Sequence, residues 1–253
     1  MKGIKLPELK LNLELPIGKQ IYTFLRRLIT DISIKPGTRL SENVLSKHFK
    51  VSRQPVREAI FHLKRCGLVE VYPQIGSYVT KISLVNLQQT CFLRSSIEMN
   101  SIAQALKNRD QNFQNALERM KDTLRRQREL FDDESAFVDK DATFLDLDDE
   151  FHKHICELCG VSMAWDVIWD LKANLDRIRY LSTQRISKID NLIDQHQHIY
   201  DLIEQGEAQE AMEAVRVHLF EITQTSIPIA KENSEWFIPE ELNSIASEKN
   251  SDL

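Results

Sequence analysis

The chain has little of what staples, breaks or anchors a fold. Four cysteines in 253 residues, Cys66, Cys91, Cys156 and Cys159, are too few for a disulfide framework, which fits a reducing compartment. No stretch approaches the roughly 18 consecutive apolar residues of a spanning helix, and the first residues lack the apolar core of a signal peptide. The expectation is therefore a cytoplasmic protein with no membrane partner. Only seven glycines and seven prolines occur, so long helices can run uninterrupted. Positive charge is also in deficit, the net formal charge being −5, and this overall balance does not point to nucleic acid. What is present, 42% hydrophobic and 28% charged residues, suits a globular chain long enough for two domains with separate cores.

The charge is unevenly spread. Residues 15–82 carry twelve Lys/Arg against four Asp/Glu, a balance of +8, and the remainder carries −13. A basic reader is joined to an acidic body.

Within the basic part, 51–76 reads VSRQPVREAIFHLKRCGLVEVYPQIG. Ser52 is an N-cap residue whose hydroxyl can accept a helix N–H, and Pro55 sits in the first turn, where no donor is missed. Val56, Ala59, Ile60 and Leu63 follow the i, i+3, i+4, i+7 spacing of a buried face, with Arg53, Gln54 and Arg57 on the opposite side. Two β-prone runs at 68–72 and 77–82 flank a turn whose Gly76 permits close approach to a phosphate or a minor groove. Upstream, 17–32 has helical spacing, Lys35-Pro36-Gly37 is a turn, and Ser41 caps a short helix carrying Val44, Leu45 and Phe49. This order is that of a winged helix-turn-helix, with a recognition helix suited to the major groove of double-stranded DNA. The alternative is a basic surface helix without that role.

After a short connection at 81–87, helices are expected at 84–107, 111–131, 135–159, 163–182, 188–205 and 208–231, with breaks at Asp132-Asp133-Glu134, Gly160 and Gly206. The fold class is mainly α. The expected parts are a tail at 1–14, the winged domain at 15–82, an all-α domain at 83–232 and a frayed tail at 233–253.

The helical body holds five of the seven histidines. Asp148 and His152 stand i, i+4 on one helix face. His196 and His218 lie ten and twelve residues either side of Gly206, so an antiparallel helix pair brings them level. One aspartate and three imidazoles form an N₃O set suited to Zn²⁺ or Ni²⁺, with positions left for water or a carboxylate. The bland alternative is a set of surface or core histidines. His154 and His198, two residues from the proposed ligands, turn about 200° away and are read as solvent-facing. Cys156-x-x-Cys159 lies in a helix without a second pair and is read as small thiols.

These residues carry a resemblance. Pro36-Gly37-Thr38-Arg39-Leu40, 51–59 and Gly67-Leu68 resemble the DNA-binding signature of GntR-family bacterial transcriptional regulators, and Asp148-x-x-Phe151-His152, His196 with Ile199 and Gly206, and His218-Leu219 resemble the metal pattern of the FadR/FCD subgroup. The likeness spans nearly the whole chain. It implies DNA contacts from Arg39, Ser52, Arg53, Gln54, Arg57 and Gly76, and a metal held by Asp148, His152, His196 and His218. Arg94 matches a family arginine that faces the effector cavity, although it could equally pair with Glu98 on its own helix. Pro73-Gln74-x-Gly76-Ser77-Tyr78-Val79, Ala164-Trp165-Asp166 and Asp176-Arg177-x-Arg179-Tyr180 resemble regulators of sugar-acid or starvation-sensing operons. Ile75 departs from the family, whose wing commonly has arginine there. The expected protein is a homodimeric repressor answering to a small organic or sugar acid at the metal. Two rivals are a metal-dependent hydrolase with an accessory DNA-binding domain and a regulator whose metal is purely structural.

Overall fold

The apolar spacing along 53–65 is realised in a computed structural model, which describes residues 6–132, 140–183 and 189–248. The chain divides into two units. One comprises Met1–Leu84, Ala173–Arg177 and Ala230–Leu253, the other Val85–Lys172 and Ile178–Ile229.

In the first unit, α1 (Ile17–Thr30), α2 (Glu42–Phe49) and α3 (Arg53–Arg65) precede a three-stranded antiparallel sheet of β1 (Arg39–Leu40), β2 (Val69–Tyr72) and β3 (Gly76–Val79), in the order β1-β3-β2. Ile21, Leu25 and Ile29 of α1 meet Val56, Ala59, Ile60 and Leu63 of α3, with Leu45, Leu68 and Val79 completing one core. Fully burying a side chain such as Leu63 contributes about 2 kcal/mol. The second strand ends at Val79, short of the expected 82, and β1 was not foreseen. Two residues carry no readable alternation, and their register, Arg39 opposite Tyr78 and Leu40 opposite Ser77, comes only from pairing. Helix α1 stops at Thr30, before the expected 32, because the chain turns with Ile32 at a φ of 61°. The expected N-terminal tail is also partly ordered, as Leu6, Leu9 and Leu11 pack on this core.

Within the C-terminal segment expected to fray, residues 234–248 are ordered. Ser234–Trp236 forms a 3-10 turn and α11 covers Pro239–Glu248. Ile82 donates to the carbonyl of Trp236 at 2.8 Å and accepts from Ile238 at 3.0 Å, burying Phe237 fully. Glu241 accepts from Ser83 Oγ at 2.8 Å and from the Leu84 N–H at 2.6 Å. Composition favours fraying, but these long-range partners outweigh it.

The second unit contains α4 (Leu84–Asn108), α5 (Gln111–Asp132), α6 (Lys140–Glu157), α7 (Met163–Leu171), α8 (Ala173–Thr183), α9 (Ile189–Gln205) and α10 (Ala208–Glu232), the ends of α4, α8 and α10 reaching into the first unit. Phe113, Met120, Phe151, Ile155, Ile203 and Val215 belong to its main core. The expected helix 163–182 is two helices. No glycine or proline marks the break; Lys172 lies there, 1% exposed, with Nζ 2.7 Å from Asp149 Oδ2. The start of the expected 135–159 helix and most of the Asp132-Asp133-Glu134 break lie outside the described residues. Gly206 closes α9 at a φ of 88°, and the N–H of Glu207 reaches the carbonyl of Leu202 at 2.9 Å. This left-handed C-terminal cap turns the chain from α9 into α10.

Candidate nucleic-acid interface and metal centre

Helix α3 buries Val56, Ala59, Ile60 and Leu63 and exposes Arg53, Gln54 and Arg57. Ser52 occupies the N-cap with extended backbone, yet its hydroxyl accepts no capping bond, contrary to the sequence reading. Its ψ of 169° fits an N-cap backbone, so the hydroxyl is left for another partner. Two of the three exposed polar side chains are held within the protein. Arg57 Nη2 is 3.2 Å from Glu42 Oε2 at the start of α2, and Gln54 donates to Glu58 at 3.1 Å. Arg39 Nη2 donates to the Ile75 carbonyl at 2.8 Å. A Cβ at position 76 would lie 2.9 Å from Arg39 Nε, and Gly76 has a φ of 141°. Glycine there admits the arginine to the tip of the wing. Glu42 was missed by sequence reasoning, since nothing local ties it to Arg57.

In the second unit α6 presents Asp148 and His152 on one face, while α9 and α10 supply His196 and His218. One donor atom from each lies within 4.8 Å of all the others. Nε2 of His218 is 3.2 Å from Nε2 of His152 and 3.3 Å from Nε2 of His196. Asp148 Oδ1 is 3.5 Å from His196 Nε2, and Oδ2 is 3.7 Å from His152 Nε2.

The far side of each ring is engaged by an oxygen. His152 Nδ1 lies 2.6 Å from Glu98 Oε2, His196 Nδ1 3.0 Å from Gln127 Oε1 and His218 Nδ1 2.6 Å from Gln195 Oε1. Gln195 Nε2 donates to Glu221 at 2.7 Å, which fixes its carbonyl toward the histidine. These acceptors call for protonated Nδ1 in the neutral rings, leaving three bare Nε2 lone pairs facing one another. Burial keeps the rings neutral: it pushes His152 well below its ordinary value, His196 to about 4 and His218 to about 3. Lone pairs at such separations repel unless a cation lies among them, so the donor set fits a divalent metal. The contacts of Glu98, Gln127 and Gln195 with the histidine rings were missed in the sequence because each ring lies on a different helix from its partner.

Around this centre charge is paired. Arg179 forks onto Asp148 Oδ2 and, at 2.8 Å, Asp149 Oδ1. Burial opposes ionisation of Asp148, yet the Arg179 guanidinium and the neighbouring histidines hold it well below the usual carboxylate range. Arg94 does pair with Glu98, Nε to Oε1 at 2.6 Å, and its buried Nη2 has no hydrogen-bond partner among the described residues. Burial, with Arg94 opposing it, raises Glu98 above its ordinary value. His154 is not solvent-facing as expected: Nδ1 sits 3.0 Å from Glu157 Oε2 and Arg119 Nε 3.4 Å from the same nitrogen. His198 is exposed and lines, with His218, a cavity of about 580 Å³ between α9 and α10. Cys156 is buried and Cys159 partly so, both as free thiols.

Residues 17–79 match the model of bacterial regulatory proteins of the gntR family and 89–221 that of the FCD domain. The chain belongs to the GntR family. It is 37% identical over 233 residues, 92% of this chain and 99% of the relative, to the HTH-type transcriptional repressor RspR of Escherichia coli. A Streptomyces ambofaciens HTH-type transcriptional regulator is 32% identical over 79% of this chain and 81% of its own length. Among solved structures, a GntR regulator from Rhodococcus has a TM-score of 0.67 at 19% identity, covering 83% of this chain and 97% of that one. E. coli McbR/YncC has a TM-score of 0.62 at 19% identity, covering 87% and 99%. These two likenesses concern the fold. The GntR chain is thus a helix-turn-helix transcriptional regulator and not an enzyme, which sets the hydrolase reading aside. FCD domains often bind metal, and the Asp148 cluster lies inside the FCD match. Among the described residues, no helix is long and apolar enough to cross a membrane.

Proposed function

We propose that this regulator is a homodimeric repressor that holds a divalent metal, zinc or nickel, on Asp148, His152, His196 and His218 and loses operator affinity when a small organic or sugar acid binds beside it. The observation that carries this reading is the set of three converging Nε2 atoms, each with its Nδ1 committed to an oxygen. When bound, the metal supplies an electrophilic anchor for a carboxylate. Charge supports the same ligand class. Arg94, Lys172 and Arg179 balance Glu98, Asp148 and Asp149, so a divalent ion adds positive charge that an anionic effector would neutralise. The buried, unpartnered Nη2 of Arg94 offers a donor to such an acid.

On the DNA side, Arg53 and Arg57 contact base edges or phosphates, Gln54 reads a base, and the Ser52 hydroxyl and helix N-terminus take a phosphate. Arg39 supplies a cation at the wing, where Ile75 provides none, and Gly76 allows backbone approach. Repression is read from the name of the RspR relative, and two copies match the symmetry of an inverted-repeat operator. DNA is met in the cytoplasm.

The test is operator binding by metal-loaded and chelated protein across a panel of sugar acids and other carboxylates. An acid should weaken binding only with metal present, typically by a factor of 5–150. Full response in demonstrably metal-free protein overturns the mechanism, and tight metal binding with no response across the panel favours a structural metal.

A further inference from the structure

The four donors of the metal cluster are not equally sealed. Asp148, His152 and His196 are buried, and Glu98 and Gln127, which stand behind the two histidines, are both 0% exposed. His218 is only half-buried, as is Gln195 behind it, and Glu221, which holds Gln195, is exposed. His218 and Gln195 also line the cavity of about 580 Å³ between α9 and α10, and none of the other three donors is among its lining residues. One water takes about 30 Å³ of liquid volume, so the cavity has room for an ion with waters around it and for a rotated imidazole. Charge divides the surroundings in the same way. Arg94 and Arg179 pair with Glu98 and Asp148, so a cation approaching past those carboxylates meets guanidinium groups. The described residues that line the cavity include no lysine or arginine. Exposed His198 and Glu210 lie in its wall, and Glu213, also there, is paired with Arg216 at 2.6 Å.

We infer that this cavity is the route by which a divalent cation reaches and leaves the cluster, with His218 as the ligand that swings aside to admit it. This rests on the metal site proposed above and adds the path to it. Turning the His218 side chain into the cavity breaks one hydrogen bond, from Nδ1–H to Gln195 Oε1 at 2.6 Å. The same turn withdraws Nε2 from the cluster and leaves Asp148, His152 and His196 in place. Those two histidines have no such freedom. Both are fully buried in a close-packed interior, and His196 stacks on Phe151 with ring centroids 4.4 Å apart. A gate of this kind sets the barrier between the loaded and empty states without changing either one. Obstructing it therefore slows uptake and release alike and leaves affinity as it was.

The experiment follows zinc uptake by metal-free full-length protein in a stopped-flow instrument, and zinc release into a saturating chromogenic chelator, for wild type, Ala214→Trp and Gln195→Ala. Ala214 lies one turn before His218 in the cavity wall, where an indole fills the space that the moving ring needs. Ala214→Trp should slow uptake and release each by about tenfold or more, with a dissociation constant within about twofold of wild type. Gln195→Ala removes the acceptor that holds Nδ1 and should speed release by about tenfold. Unchanged rates in Ala214→Trp would overturn the route. So would lost affinity in that variant with its uptake rate unchanged, because the damage would then lie in the ligand geometry. Release from Gln195→Ala no faster than from wild type would exclude His218 as the moving ligand. Should Ala214→Trp fail to fold, Val217→Trp, at a position 55% exposed in the same wall, is measured with the same outcomes. A wild type that binds no zinc would overturn the metal site itself.

Discussion

Glu98 Oε2 lies 2.6 Å from His152 Nδ1, joining two fully buried residues 54 positions apart in the chain. The other oxygen of Glu98 takes Arg94 Nε–H at 2.6 Å. One carboxylate thus orients a metal-facing imidazole and compensates a buried guanidinium.

Glu98→Ala should weaken metal retention by about 10–100-fold, the usual effect of removing a partner that orients a ligating histidine. It should also destabilise the fold by about 3–5 kcal/mol, because Arg94 is left as an unpaired buried charge. Glu98→Gln keeps an oxygen for His152 and should lose less metal affinity than the alanine variant. Competition with a calibrated chelator measures the first effect and urea unfolding the second. Equal retention in wild type and the alanine variant would remove Glu98 from the site.

Arg53→Ala and Arg57→Ala should each reduce operator affinity more than about tenfold, with the fold intact because Val56, Ile60 and Leu63 are untouched. Binding should fall steeply with salt. Arg57 is held by Glu42 at 3.2 Å, so Glu42→Gln should leave affinity unchanged or raise it by about threefold, one less negative charge facing the phosphates. Fluorescence anisotropy on a labelled operator checks all three. Unaltered affinity in both arginine variants would rule out this use of α3.

Purified protein should carry about one divalent ion per chain, and His196→Ala should lose it on dialysis, since no neighbouring group replaces that imidazole. The ligands come from α6, α9 and α10, so adding metal to the apo-protein should raise its melting temperature. Elemental analysis and calorimetry measure the two. A wild-type metal content after His196→Ala would exclude this ligand set.

Acid should destabilise the metal-free protein through the same histidines. Burial holds His196 at about 4 and His218 at about 3 in the folded state, against about 6.5 unfolded. The unfolded chain therefore takes up protons first as pH falls. Stability is complete above about pH 6.5 and is lost toward pH 4 and 3, by up to about 1.4 kcal/mol per pH unit for each histidine. Urea midpoints of apo-protein at pH 7, 6 and 5 should fall in that order. Metal loading should move the onset to lower pH, because the ion competes with protons for the rings. A flat profile from pH 7 to 5 would contradict neutral buried histidines.

Local sequence patterns decided much of this protein. The i, i+3, i+4, i+7 spacing of Val56, Ala59, Ile60 and Leu63 fixed which face of α3 is buried, and so left Arg53, Gln54 and Arg57 exposed. Asp148 and His152 share a face because four residues make about one turn, and Gly206 set the chain reversal that brings His196 and His218 together. Each of these follows from contacts within a few residues or across one turn. Tertiary structure decided the rest. Glu98, Gln127 and Gln195 support the metal-facing rings from α4, α5 and α9 without any spacing that ties them to their partners. The helix expected over 163–182 is interrupted at Lys172, whose ammonium pairs with Asp149 in the interior, a partner that no local pattern shows. Residues 234–248, polar enough to read as a frayed tail, are ordered by Ile82, Ser83 and Leu84. Periodicity records which side of an element is buried, whereas a polar group's partner depends on which distant segment the packed core delivers to it.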